Sequence, residues 1–195
     1  MERIQGEPLP RAWDKMSEEA LEGILKQLKG YIQELRSLEP PPGTGVESCF
    51  GSSLYDSRIP RGNPRFGPFK TIQEFHFWLR HDYKIEDYAG PDPGKGQVWR
   101  DAVDVTRLQD GPWPPPKFTH GDLNPFNILV RDGKVVGIID WEFSGWYPDY
   151  WEYTTAWFGN RTRLLWQGLL DKFLDPPLPD VFRMEEIRNR WWGEF

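Results

Sequence analysis

Residues 118–140 of the chain read FTHGDLNPFNILVRDGKVVGIID. Two apolar runs, Ile128, Leu129 and Val130, then Val135, Val136, Gly137, Ile138 and Ile139, flank Asp132-Gly133, a dipeptide that tolerates the positive φ angles of a tight hairpin turn. The segment therefore predicts a buried β-hairpin. With Asp132-Gly133 as a two-residue loop, Arg131 pairs with Lys134 and Asn127 faces Ile138, which puts Asn127 diagonal to Asp140 on one side of the ribbon. One cation could then bridge both side chains. A register changed by one residue would send them to opposite faces.

Helical patterns surround this hairpin. Ser17 reads as an N-cap for residues 18–38, with Glu18 and Glu19 in the first turn and Leu21, Ile24, Leu25, Leu28, Ile32 and Leu35 at helical spacing. Pro40-Pro41-Pro42-Gly43 stops it. Thr71 and Glu74 form a capping box for a second helix whose apolar face is Phe75, Trp78 and Leu79. A third is expected over residues 98–108, after a break at residues 90–96, and Gly111-Pro112-Trp113-Pro114-Pro115-Pro116 ends it in extended form. Residues 148–158, 161–174 and 181–192 complete the helical expectation. Residues 43–68 are turn chemistry with little periodicity, and an ordered loop of that length inside a domain is usually functional.

Composition excludes several classes. With 24 Lys and Arg against 30 Asp and Glu, the net charge is −6, which lacks the basic face that nucleic-acid binding requires. No apolar run reaches the roughly 20 residues of a membrane span, and the N-terminus is no signal peptide. The expected protein is soluble and cytoplasmic. A single cysteine, Cys49, cannot close an internal disulfide, and the three histidines are too scattered for a zinc framework. His76 and His81 stand five apart, off the shared face that a His-Glu-x-x-His site needs, which assigns them surface or capping roles. No Gly-x-Ser-x-Gly elbow surrounds Ser52, Ser53 or Ser144. Of the 11 tryptophans, those at 141, 146, 151, 157 and 166 are read mostly as core anchors by their size, with Trp146 and Trp151 as candidates to line an acceptor pocket.

The chemistry lies in His120-Gly121-Asp122-Leu123-Asn124-Pro125-Phe126-Asn127 with Asp140 thirteen positions later. His-x-Asp-x-x-x-x-Asn ahead of a hairpin and a second Asp is the arrangement of kinase-type phosphoryl transfer. A hydroxyl or amine acceptor needs a carboxylate near its proton, which Asp122 supplies. Two oxygen ligands must hold Mg2+ against the nucleotide phosphates, which Asn127 and Asp140 supply.

Residues 118–158 resemble the C-terminal lobe of the aminoglycoside phosphotransferase family, fungal members most of all, whose fold is related to protein kinases and choline kinases. MERIQG at residues 1–6 resembles, more weakly, the strand by which that family's N-lobe passes into its C-lobe. The resemblance implies an α+β, mainly helical fold: the C-terminal lobe of a protein-kinase-like fold with a small catalytic hairpin. Residues 1–195 form that lobe, residues 1–10 a hinge remnant, and residues 118–160 the catalytic loop, metal hairpin and following helix. It implies Asp122 as catalytic base, Asn127 and Asp140 as Mg2+ ligands, and His120 as a support fixing the loop and the second Asp. It further implies that the backbone around Glu2 and Ile4 meets the adenine of ATP (or the base of GTP), over an apolar floor of Leu129 and Ile139.

The sequence departs from the family where Trp141-Glu142 follows Asp140, in place of the Phe-Gly of protein kinases, and where Asn124 replaces a frequent His. The strand-borne lysine, its glutamate partner and the phosphate-covering loop of the family are not found; Gly43-Thr44-Gly45 and residues 90–96 lack the context of a phosphate loop. The expected activity is phosphoryl transfer from a nucleotide to a small-molecule acceptor, with neither nucleic acid nor membrane as partner. Its alternatives are a non-catalytic kinase-like binder or a fragment of a longer kinase whose start was mis-assigned. The negative charge suits a cationic acceptor but serves solubility equally, and acceptor contacts are expected from residues 43–68 and the Trp-rich helices.

Overall fold

The chain runs, in a computed structural model that describes residues 3–88 and 96–192, through β1 (Glu7–Pro8), α1 (Leu9–Trp13), α2 (Glu18–Arg36), α3 (Ile72–Leu79), α4 (Gln97–Gln109), β2 (Lys117–Thr119), β3 (Ile128–Arg131), β4 (Lys134–Ile138), β5 (Gly145–Tyr147), α5 (Trp151–Phe158), α6 (Leu164–Gln167) and α7 (Pro179–Trp191). The expected break over residues 90–96 lies almost wholly outside the described residues. Two small antiparallel sheets form, with strand orders β1-β3-β4 and β2-β5.

Local chemistry accounts for the elements around the hairpin. Ser17 Oγ accepts from the Ala20 N–H at 3.3 Å, and α2 buries Ile24, Leu25, Leu28 and Ile32. At α3, Thr71 Oγ1 accepts from the Glu74 N–H at 3.1 Å while Glu74 accepts from the Lys70 N–H at 2.8 Å, the reciprocal arrangement of a capping box reached one residue earlier. Asp132 and Gly133 both take positive φ, 50° and 71°, as a primed hairpin turn requires. Gln27 of α2 secures that turn from outside: its amide donates to the Gly133 carbonyl and accepts from the Val135 N–H, both at 3.1 Å.

The hairpin register departs from expectation. Arg131 pairs with Lys134 and Val130 with Val135, but Leu129 then pairs with Gly137 and Ile128 with Ile138. Val136 is an extra residue, a bulge that advances the ladder by one. Asn127 therefore meets Ile139, whose N–H donates to the Asn127 carbonyl at 2.9 Å, and not Ile138.

Two apolar clusters fill the interior. The first joins α1, α2, the hairpin, Tyr153 and Ala156 of α5, and Trp166. The second joins Val46, Leu54 and Phe66 to α3, Tyr147, Trp151 and the α7 residues Met184 and Ile187. Helix α5 contributes to both clusters, and seven of its eight residues are buried, so this helix is apolar or internally hydrogen-bonded all round. Trp146, Trp151 and Trp166 are core anchors, as expected from their size. Among the described residues no helix is long and apolar enough to cross a membrane.

His76 corrects another expectation, since it is fully buried and neither caps a helix nor lies at the surface. Its Nδ1 sits 3.1 Å from the Gln109 carbonyl, which can only accept, so Nδ1 carries the proton and Nε2 accepts from the Tyr150 hydroxyl at 2.8 Å. Burial, with Arg80 and Arg188 adding positive charge nearby, pushes its pKa down to about 3. The unfolded chain, with an ordinary imidazole near 6.5, thus binds a proton that the folded chain refuses. The His76 contribution to stability is complete above about pH 6.5 and is lost as pH falls toward 3, at about 1.4 kcal/mol per pH unit. Urea unfolding of the parent chain and of His76→Gln at pH 7, 6, 5 and 4 tests this: the variant is expected to have the shallower acid limb, and parallel curves would refute the assignment.

Candidate active site

The loop of residues 120–127 is built at the end of β2, which pairs with β5 in the register Phe118 to Trp146 and Thr119 to Gly145. Gly121 follows with φ of 84°, and a Cβ there would come within 2.8 Å of the Phe143 carbonyl; both backbone and space demand glycine. The turn is held by Glu152, which is 1% exposed. Its two carboxylate oxygens accept from the His120 N–H at 2.6 Å and the Gly121 N–H at 3.0 Å. Sequence reading placed Glu152 only on a Trp-rich helix. Its signal was an acid inside the otherwise non-ionic stretch Trp-Glu-Tyr-Thr-Thr-Ala-Trp-Phe.

His120 is also fully buried and knits the loop to the hairpin. Its Nδ1 accepts from the Asp122 N–H at 3.1 Å, so its proton sits on Nε2, which donates to the Ile139 carbonyl at 3.0 Å. The ring lies against Trp141, with centroids 4.4 Å apart. Ile139 is thereby gripped at both backbone groups, its N–H by Asn127 and its carbonyl by His120.

Three side chains converge on Asp122. Asn124 and Asn127 donate to its Oδ2 at 2.8 and 2.9 Å, and Arg58 Nη1 lies 3.4 Å from its Oδ1. Asn127 donates as well to the Asp122 carbonyl at 3.0 Å. Arg58 comes from the loop of residues 43–68 and had no periodic or motif signal. It is fixed by a two-point pair with the buried Asp56, at 2.9 and 2.7 Å, donates to the Gly121 carbonyl at 2.6 Å, and lies 4.6 Å over the Phe143 ring. Burial opposes its charge, but the adjacent Asp56 carboxylate, with Asp122 and Tyr147 adding, raises its pKa above the ordinary arginine value.

Asp140 follows Ile139 in the left-handed region, φ 68° and ψ 60°, and is exposed. Strand alternation ends before it, and with the Val136 bulge regular pairing does not place Asn127 and Asp140 on one face. Asp140 instead leaves from a point fixed by the clamp on Ile139. The oxygens themselves suit a hard cation. With Asn127 Nδ2 committed to Asp122, its Oδ1 is the atom left over, and among the described residues the Asp140 carboxylate has no hydrogen-bond or ion-pair partner. No cluster of three or more His, Cys, Asp or Glu suited to a metal occurs among the described residues. Two protein oxygens are the number Mg2+ commonly takes where phosphate and water complete its octahedron.

The remaining candidates lie along the hairpin. Ile4 rests over Gly137, where a Cβ would come within 2.8 Å of its Cδ1, and Gly137 pairs with Leu129. Leu129 and Ile139 are half-buried. Glu2 lies outside the described residues. Cys49 is exposed and free.

Comparison with known proteins agrees with this architecture. The model of the phosphotransferase enzyme family, APH, matches residues 1–187. No curated protein matches significantly. Among solved structures the chain is similar to a thermostable mutant of aminoglycoside phosphotransferase APH(4)-Ia in ternary complex with AMP-PNP and hygromycin B, at 17% identity and a TM-score of 0.59, over 95% of this chain and 59% of that one. It is similar also to APH(4)-Ia itself, at 15% identity and a TM-score of 0.53, over 95% and 59% of the two chains. The chain spans about three-fifths of the length of these structures, and the likeness establishes its fold as the kinase-like fold of the aminoglycoside phosphotransferases. On a family model that runs through the loop of residues 120–127, the bulged hairpin and the first nine residues of α7, the chain belongs to the phosphotransferase enzyme family.

Proposed function

We propose that this chain carries the catalytic loop and metal site of a small-molecule kinase, transferring a phosphoryl group from ATP or GTP to a hydroxyl or amine. Asp122 is the base, Asn127 and Asp140 hold Mg2+, and His120 is the support between them. Mg2+ when bound neutralises the nucleotide phosphates; the chain's own residues orient the base and carry the metal oxygens. Ile4, Leu129 and Ile139 line the base of the nucleotide. The observation that carries this reading is the grip on Ile139 by Asn127 and His120, which ties the second Asp to the loop that bears the first. AMP-PNP and ADP complexes of the similar structures support nucleotide use.

A second reading, a kinase-like binder without transfer, is favoured by one feature: the Asp122 carboxylate already accepts from two amides and faces a guanidinium. Calorimetric titration with AMP-PNP, with and without Mg2+, tests the metal site. Mg2+ is expected to tighten binding about tenfold or more, a difference of about 1.4 kcal/mol, and Asp140→Ala to remove that gain. Equal affinity in Mg2+ and in EDTA would refute the metal site and leave the second reading.

A further inference from the structure

We propose that a cavity between the C-terminal end of α2, the connection from α4 to β2 and the entry to α7 binds a small organic anion, a phosphate or carboxylate on an apolar body. The cavity has a volume of about 890 Å3, within the range of ligand pockets. Residues 120–127 and Asp140 do not line it, so it is separate from the candidate active site.

Its charge runs against that of the chain. In a protein of net charge −6, Arg36, Arg107 and Lys117 all line this one space, against the carboxylates of Asp149 and Asp175. Arg36 is held from one side, its Nη2 donating to the Asp149 carbonyl. Its Nη1 is buried with no hydrogen-bond partner among the described residues. That atom is closed off from the cavity, so the charge Arg36 offers a ligand comes from the rest of its guanidinium. Neither Arg107 nor Lys117 has an ion-pair or hydrogen-bonded side-chain partner among the described residues. Trp113, Phe173, Leu178 and Val181 line the same space, and Trp113 is fixed by its indole N–H donating to the Gln109 carbonyl at 3.1 Å. An aromatic and apolar lining shared with the uncommitted cations of Arg107 and Lys117 suits a ligand that carries an apolar ring and anionic oxygens.

The indole resonance of Trp113, assigned with Trp113→Phe, provides the readout in 1H–15N spectra of the 195-residue chain. Titration with 1-naphthyl phosphate and with 1-naphthoate is expected to shift it saturably, and the tighter of the two names the head group. Neutral 1-naphthol is expected to bind at least tenfold more weakly. Arg107→Glu combined with Lys117→Glu, changes at side chains that support no neighbour, is expected to weaken both anions tenfold or more with an unchanged circular dichroism spectrum; Lys117→Gln alone serves if the double variant does not fold. No saturable shift at millimolar ligand, equal binding of 1-naphthol, or undiminished anion binding in the charge variant would overturn the proposal.

Discussion

Asp122→Asn is expected to lower phosphoryl transfer about 10²–10⁴-fold, the range for loss of a positioned general base. Mg2+-dependent affinity for AMP-PNP should stay within about threefold. The separation follows from the geometry. Asn127 keeps its bond to the Asp122 carbonyl at 3.0 Å in the variant, so the oxygens proposed to hold Mg2+ keep their place. The substituted side chain must turn its single oxygen toward Asn124 and Asn127, which both donate at Oδ2, and its amide toward Arg58. No lone pair of carboxylate basicity is then left for an acceptor proton. Coupled-assay kinetics over a panel of amino alcohols and aminoglycosides, beside the nucleotide titration, checks the result. A variant with parental turnover would refute Asp122 as the base, whereas equal loss of nucleotide affinity would make it a structural residue.

Glu152→Ala is expected to be the most destabilising single change in the site. Two buried N–H groups, of His120 and Gly121, lose their acceptor at a position 1% exposed. Each buried donor left unpaired costs about 1–3 kcal/mol. The combined loss is about 2–6 kcal/mol, which for a chain of this length lowers Tm on the order of 10 °C. Glu152→Gln retains one oxygen and should lose about half as much. Thermal melts of the three proteins give the ordering directly, and a Gln variant as unstable as Ala would show that the negative charge, not the acceptor count, holds the loop.

Where pattern is carried by periodic apolar residues, sequence and structure agree. Helices α2, α3, α4 and α7 lie within about two residues of expectation because each buries one stripe against a cluster, and Asp132-Gly133 turns as its φ preferences demand. Residues 161–174 form the single turn of α6 and a 3₁₀ turn at Leu170–Lys172 instead of one helix: Trp166, Leu170, Phe173 and Leu174 are buried while Leu164 and Leu165 are 74% and 79% exposed, so apolar composition there does not mark a single helical stripe. Strands β1 and β5 are two and three residues long, too short for alternation to register. In the candidate site, His120, Asp122 and Asn127 were legible as one motif, and the structure joins them through hydrogen bonds over that short spacing. Glu152 and Arg58 were not: each reaches the loop across 30 or more residues of chain, Arg58 from a segment without period, and no local rule encodes a partner that distant. The bulge was equally silent, since Val136 is as good a strand residue as its neighbours.

That extra residue gives the hairpin a property that substitutions alone do not reveal. Because the ladder advances by one at Val136, chain length between the turn and Asp140 carries as much information as residue identity. Deleting any one residue of β4 would restore a regular ribbon, keep every apolar run and the turn, and draw Asp140 into the place Ile139 now fills between Asn127 and His120. Among related sequences, gaps should therefore be tolerated in the loop of residues 43–68 far more readily than in these few positions, and an insertion or deletion here should be read as a change of chemistry, not of length.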